Sequence, residues 1–462
     1  MEQVVSMAVS QHNVDLIIHL WRRFSIERND KLKTMISRSI KMIASELRLG
    51  PVEGIRDLAE KYDEKVYNET DTGDDTKLGY FTRIGDYARI NYSLRRGDHP
   101  IYGAVVAAEM GSVEMIQFFL RKGLKARGST DVCRWAARAG QKDTLRWLVT
   151  KEFRLDESVC EAAASSDQLS LLKWLRSTGC PWSFHTMSIA AEKGYMDVLE
   201  FCYRTKCPYD PEVCASAAKG GQLDALIWLR SKEYKWDWSV NVIAAAHGHF
   251  DVLQWAYANG CKLTSSVCAG AAQNGHLHIL RWARENNCPW NEKALCEAAR
   301  HGRLDVLEWA HDNGCPRSEQ VFADAASGGN LAILSWLLEK GYPWDEYTFN
   351  EAVKSKTNLS ITAWLHENDC PWSSKTTSSA SSTGSFEILR WLRENGCPWD
   401  EWVCNHAILT KRLDILEWAH QNRCPLSESS FEYAQTTMYL PVLMYMVEQR
   451  FPGWTYYTEY LL

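Results

Sequence analysis

An all-helical repeat solenoid is the fold that this sequence predicts, and three observations predict it. Aromatic residues recur every 27 positions, an Ala-Ala pair keeps a fixed distance ahead of them, and a glycine turn and a Gly-Cys-Pro-Trp close keep step with both. Self-similarity at a fixed period of this length is the mark of a stacked array, in which each unit buries its apolar faces only against its neighbours.

The aromatic column sets the register. Trp147, Trp174, Phe201, Trp228, Trp255, Trp282, Trp309 and Trp336 are spaced by 27. One extra residue near Lys356-Thr357 precedes Trp364, Trp391, Trp418 and Tyr445, and Phe118 extends the series backwards, which makes 13 units. The pairs Ala136-Ala137, Ala190-Ala191, Ala217-Ala218, Ala271-Ala272, Ala298-Ala299 and Ala325-Ala326 lie ten residues ahead of the aromatic. Gly140, Gly194, Gly221, Gly248, Gly275, Gly302 and Gly329 come three residues after the second alanine.

Each unit then reads as two short antiparallel helices. It opens on a small polar residue, at Ser129, Asp156, Ser183, Asp210, Asp237, Thr264, Asn291, Ser318, Asp345, Ser373, Asp400 and Ser427. Such residues cap a helix because the side-chain oxygen accepts from a free N–H of the first turn. Alanine allows the first helix a close approach to its neighbours, and the glycine permits the left-handed backbone that stops it. The second helix carries Leu304, Val306, Leu307, Trp309 and Ala310 in one unit, an apolar surface wide enough to be buried on several sides. Gly-Cys-Pro is expected to end it, since proline cannot continue a helix. The stretch Ser373 to Thr383, nearly all Ser and Thr, is a first helix of poor helix formers and is expected to be loose.

The core Ala-Ala-x-x-Gly-x-Leu-Asp-Val-Leu-x-Trp-Ala resembles the ankyrin repeat. Ankyrin units run to about 33 residues. The missing residues fall between the second helix and the next Ala-Ala, where ankyrin proteins project a β-finger. The resemblance therefore implies an ankyrin-like helical repeat solenoid with fingers shortened or absent. Arrays with the Gly-Cys-Pro-Trp ending resemble those of giant DNA viruses of amoebae and of some protists, some of which carry an F-box, and no convincing F-box stands here. The resemblance implies protein binding as a class.

Three regions follow. Residues 1–100 fit the register poorly and read as a degenerate, helical N-terminal cap, with decayed units at Asn13–Ile17 and Val52–Leu58, a helix over Lys31–Leu49 and an exposed loop at Tyr67–Thr76. Residues 101–450 are the array, and residues 451–462 the C-terminal cap.

The chemistry points to a binder. With 52 basic and 58 acidic residues the net charge is -6, so no basic footprint for nucleic acid shows, and no nucleic-acid partner is expected. No apolar run is long enough to span a bilayer, and the N-terminus lacks the basic start of a signal peptide, so no membrane is expected. The 15 cysteines read as reduced thiols of a cytoplasmic protein (host cytoplasm if viral). Cys180, Cys207, Cys261, Cys288, Cys315, Cys370, Cys397 and Cys424 share one slot, and read as small buried packing residues, since equivalent slots of adjacent units are too far apart to bridge. His247, His249, His276, His278 and His301 fall on the turns of three consecutive units. Binding a metal is one reading of them, and hydrogen-bonding the turns is the favoured one. The tryptophan columns read as core rather than as platforms for bases.

No phosphate loop, HExxH or nucleophile elbow appears, so no catalytic, cofactor or metal residue is assigned and no enzyme is expected. The function expected is a protein–protein scaffold or adaptor gripping its partner on the concave first-helix face. Its candidate contacts are Phe184, His185, Trp238, Tyr347 and Trp402, large side chains in slots where residue type varies. A self-assembling structural protein and an RNA-binding helical repeat are the alternatives, and a monomer fits the first.

Overall fold

The computed structural model describes residues 77–451 apart from 356–358, 428 and 438. The expectations for Asn13–Ile17, Lys31–Leu49, Val52–Leu58, Tyr67–Thr76, the inserted residue near 356 and the cap from 452 on lie outside the described residues. Among those described, 28 helices and no strand form a helical repeat solenoid, numbered from α1 (Lys77–Arg83) to α28 (Leu440–Glu448). Odd numbers are first helices and even numbers second helices. The pair α1 and α2 (Tyr87–Arg95) falls within the segment read as a cap, and α1 packs on the next first helix, α3 (Pro100–Glu109). The described residues fall into two compact units, one holding residues up to 190 with 195–210, the other 191–194 with the residues from 211 on.

Within each unit the first helices lie side by side. In the second, α13 (Ser239–His247) packs on α15 (Ser265–Asn274), and α15 on α17 (Lys293–Arg300). Small side chains make this possible. Ala244, Ala245, Ala271, Ala272, Ala298 and Ala299 are fully buried. A Cβ on Gly270 would lie 3.2 Å from the Ala246 Cβ, and one on Gly328 only 2.1 Å from the Arg300 carbonyl oxygen. The glycine after the alanine pair stops the first helix as expected: Gly248 sits at φ 81° and donates its N–H to the Ala245 carbonyl.

The openers cap as read at seven units. Asp156, Ser183, Asp237, Asn291, Asp345, Ser373 and Asp400 each accept from the backbone N–H two residues on. Thr264 makes no such bond.

Two expectations are corrected. Proline does not end the second helix. That helix has already closed when proline arrives, because Gly179 takes φ 82° and the Cys180 N–H reaches back to the Leu175 carbonyl at 3.1 Å. The tryptophan column is not core either. Val306, Leu307 and Ala310 are fully buried while Trp309 is half-buried, and the largest fully buried side chains are all phenylalanines. The indole lies at the seam between successive units, where Trp309 meets the preceding unit's Trp290.

The Ser/Thr stretch is a first helix, as read. It forms a regular helix, α23 (Ser374–Thr383), with a capping box between Ser373 and Thr376. Its buried hydroxyls bond outward: Thr376 donates to Asn350 Oδ1 at 2.7 Å, Ser381 to the Val403 carbonyl at 2.6 Å and Thr377 to the Pro398 carbonyl at 2.9 Å. Its outer hydroxyls at Ser378 and Ser382 bond back to the helix itself. These bonds supply from neighbouring groups what helix propensity does not.

Candidate interaction surface

The seam between units is built from the closing motif. The residue two places after the column aromatic is arginine in four units. Its guanidinium lies over the ring of the closing tryptophan, at 4.3 Å for Arg176 on Trp182, 4.5 Å for Arg230 on Trp236, 4.3 Å for Arg284 on Trp290 and 4.5 Å for Arg393 on Trp399. Arg176, Arg230 and Arg284 also donate to the carbonyl four residues on, at Cys180, Tyr234 and Cys288. His366 takes the same slot and stacks on Trp372 at 4.3 Å. The closing tryptophan then turns its edge to the next unit's column aromatic. Trp182 meets Phe201 at 6.0 Å, Trp236 meets Trp255 at 5.7 Å, Trp290 meets Trp309 at 6.0 Å and Trp399 meets Trp418 at 5.6 Å. Sequence reasoning missed these arginines. Their recurrence at a fixed offset from the tryptophan column is the signal that reveals them.

The cysteine column has its own structural role. Each closing cysteine is buried, and its S–H donates to the carbonyl of its unit's opening residue. Cys261 reaches Asp237 at 3.1 Å, Cys288 reaches Thr264 at 3.2 Å, Cys315 reaches Asn291 at 3.3 Å and Cys424 reaches Asp400 at 3.3 Å. The thiol thus ties the end of a unit to its beginning. Burial pushes the Cys315, Cys370 and Cys397 thiols up to about 12, which keeps them protonated and able to donate.

The turn histidines pair with backbone carbonyls, as in the favoured reading. His247 Nδ1 lies 2.9 Å from the Ile243 carbonyl, His249 Nε2 3.0 Å from that of Lys219, and His301 Nδ1 3.0 Å from that of Glu297. Burial, with His278 nearby, holds His276 below the usual imidazole range. Among the described residues no three of His, Cys, Asp or Glu are placed to share a metal ion.

The five candidate contact residues all lie at the N-terminal edge of first helices, one or two places after the opener. Trp238 is 51% exposed, Tyr347 and Trp402 are each 42% exposed, and Phe184 is 39% exposed. His185 is exposed and its ring meets Phe184 at 4.1 Å. Trp402 leans on His406 at 5.5 Å and Tyr433 at 6.1 Å. The structure brings Phe184 and His185 together and does not bring the others into one patch, since each sits in a separate repeat. Two grooves open at this same edge. One of about 500 Å³ lies between the starts of α19 (Gln320–Gly328) and α21 (Glu346–Lys354), with Arg317, Glu319, Asp345 and Tyr347 on its walls. The other, of about 220 Å³, lies between the starts of α11 (Val213–Lys219) and α13, with Glu212, Lys235, Trp236 and Asp237 on its walls. Both hold acidic and basic side chains beside an aromatic ring.

Among the described residues no helix is long and apolar enough to cross a membrane. No family model and no curated protein matches the chain. Solved structures do. A pentatricopeptide repeat protein, PPR10, in complex with an 18-nt psaJ RNA element is 13% identical, over 94% of this chain and 75% of that one, with a TM-score of 0.35. Its cysteine-to-serine triple variant in the same complex gives the same values. The same protein from maize is 11% identical, over 97% of this chain and 90% of that one, with a TM-score of 0.28. The expectation that nucleic acid plays no part is corrected by this finding, since the first two of those helical repeat structures hold RNA. The fault lay in the premise: net charge sums the whole chain, whereas binding depends on one face, so a balance of -6 does not exclude nucleic acid.

Proposed function

We propose that this chain is a non-catalytic scaffold or adaptor that holds a partner protein along the exposed N-terminal edge of its first helices, with Phe184, His185, Trp238, Tyr347 and Trp402 as its anchors. One observation carries the reading. Trp238 and Trp402 are 51% and 42% exposed, whereas the tryptophans of the two regular columns are half-buried in the seams. A large exposed ring offers contact area at small entropic cost. The ankyrin relation belongs to the same proposal, and is supported by the way Ala-Ala-x-x-Gly forms the end of a first helix and its left-handed stop. A cytoplasmic setting is supported by the buried, unlinked thiols.

The test is capture of cross-linked partners by the full-length chain from its native source. A single stoichiometric protein is expected. Its binding should weaken about tenfold or more, the ~1.4 kcal/mol typical of an anchor residue, on Trp238→Ala or Trp402→Ala. Cross-linked RNA, with binding that falls steeply as salt rises, would replace the protein reading by the RNA one. Concentration-dependent light scattering with no partner would replace it by self-assembly.

A further inference from the structure

Most closing cysteines face a different residue type on the first helix of their own unit. The slot four places after the opener holds Asn241 against Cys261, Leu295 against Cys315, Phe349 against Cys370 and Thr377 against Cys397. In three units that slot holds a second cysteine, twenty residues before the first: Cys160 with Cys180, Cys268 with Cys288, and Cys404 with Cys424. The sulfurs lie 3.5 Å apart in the first pair and 3.6 Å in the second, and Cys424 shares a side-chain hydrogen bond with Cys404 in the third.

The two measured pairs have the same geometry, although they belong to different compact units. Cys160 donates its S–H to Cys180, which donates in turn to the Asp156 carbonyl at 3.4 Å. Cys268 donates to Cys288, which donates to the Thr264 carbonyl at 3.2 Å. All six sulfurs are buried, yet the closing loop lies at the surface, with Gly179 and Pro181 exposed on either side of Cys180. The loop sulfur is therefore the one that a small oxidant reaches when the loop shifts.

We propose that these three pairs are oxidation sites, each converted by a hydroperoxide to an intra-unit disulfide that locks the closing loop of a unit to its own first helix. In the first step one sulfur of the pair, the loop sulfur in the case of Cys180 and Cys288, attacks the O–O bond of hydrogen peroxide. It becomes a sulfenic acid, and its proton leaves with the departing oxygen as water. In the second, the other sulfur, the first-helix one in the case of Cys160 and Cys268, attacks that oxidised sulfur. The S–S bond forms and hydroxide leaves, taking the attacking thiol's proton as a second water. Two thiols and one peroxide give one disulfide and two waters. The sulfurs must close by about 1.5 Å to reach a bond of about 2.05 Å.

The order of attack is supported by the hydrogen-bond direction. Accepting the Cys160 S–H, with Arg176 nearby, holds Cys180 below the usual thiol range, and Cys268 and Arg284 do the same for Cys288. The donating partners Cys160 and Cys268 are pushed up. In these two pairs the more thiolate-like sulfur is thus the one on the exposed loop. In the third the bond to Cys404 pushes Cys424 up, so the order of attack is assigned for the first two pairs alone.

The experiment uses the full, reduced chain with no partner, so it is independent of what the solenoid binds. The chain is treated with hydrogen peroxide, remaining thiols are alkylated, and the digest is read by mass spectrometry without reduction. Linked peptides are expected at Cys160–Cys180, Cys268–Cys288 and Cys404–Cys424, each short of two hydrogens and each released by dithiothreitol. The oxidised chain should melt at higher temperature than the reduced one. Cys268→Ser should remove its own linkage and leave the other two. Alkylation of the six cysteines to the same extent as Cys261 and Cys397, or linkages scattered among cysteines with no thiol neighbour, would overturn the proposal; Cys202, which shares a hydrogen bond with Cys207, is not among those. The wild-type mapping decides this even where a variant fails to fold.

Discussion

The helices α15 and α23 occupy the same place in their repeats and are built from opposite chemistry. In α15, Val267, Cys268, Ala271 and Ala272 are fully buried, and contact with α13 is so close that Gly270 has no room for a large side chain. In α23, Thr376, Thr377 and Ser381 are equally buried, and each hydroxyl donates to a group outside its helix. One helix is held by smooth apolar contact, the other by directed bonds. The solenoid thus tolerates polarity in these buried slots, provided that every buried hydroxyl finds an acceptor.

Four measurements test that contrast, the largest effect first. Gly270→Val should destabilise the chain by about 1–3 kcal/mol in chemical denaturation, because the added carbons overpack the α13 contact. A change below about 0.5 kcal/mol, the scale of an ordinary surface substitution, would show the approach to be slack. Thr376→Val keeps the shape but leaves Asn350 Oδ1 buried without its donor, at a cost of about 1–3 kcal/mol. Combining it with Asn350→Leu should recover part of that loss, and strict additivity would break the argument. Ser373→Ala removes a capping box and should cost ~1 kcal/mol, whereas Thr264→Ala, at an opener whose hydroxyl is buried without a partner, should cost less. The smallest expected effect is in hydrogen exchange, where the amides of α23 should be protected about as well as those of α15. Fast exchange confined to α23 would restore the looseness that its composition suggests.

Much of the fold was legible because the repeat presents the same physical problem many times over. Alanine where helices touch, glycine where the backbone turns left-handed and a small polar residue at each start were all readable as columns. What escaped reading depended on distances that helix pairing creates. The second left-handed position of each unit is Gly179, Gly260 or Gly314 in some repeats but Glu152, Glu233 or Asn287 in others, so no glycine column announces it. The thiol donation from Cys288 to Thr264 joins residues 24 apart, which a search confined to adjacent copies of one slot does not compare. The candidate surface was legible as exposure and not as a patch: Trp238, Tyr347 and Trp402 are at the surface as read, but in separate repeats.

The arginine-clamped tryptophan has a consequence for how such a chain lengthens or shortens. Trp290 is gripped by Arg284 behind it and met by Trp309 ahead, so the joint belongs to two successive copies at once. Excising or duplicating 27 residues in phase replaces one joint with an equivalent one, wherever in the cycle the cut falls. A cut that keeps Arg284 and loses Trp309 leaves half a joint facing water. The inheritable module is therefore the interval between equivalent points rather than the helix pair as drawn.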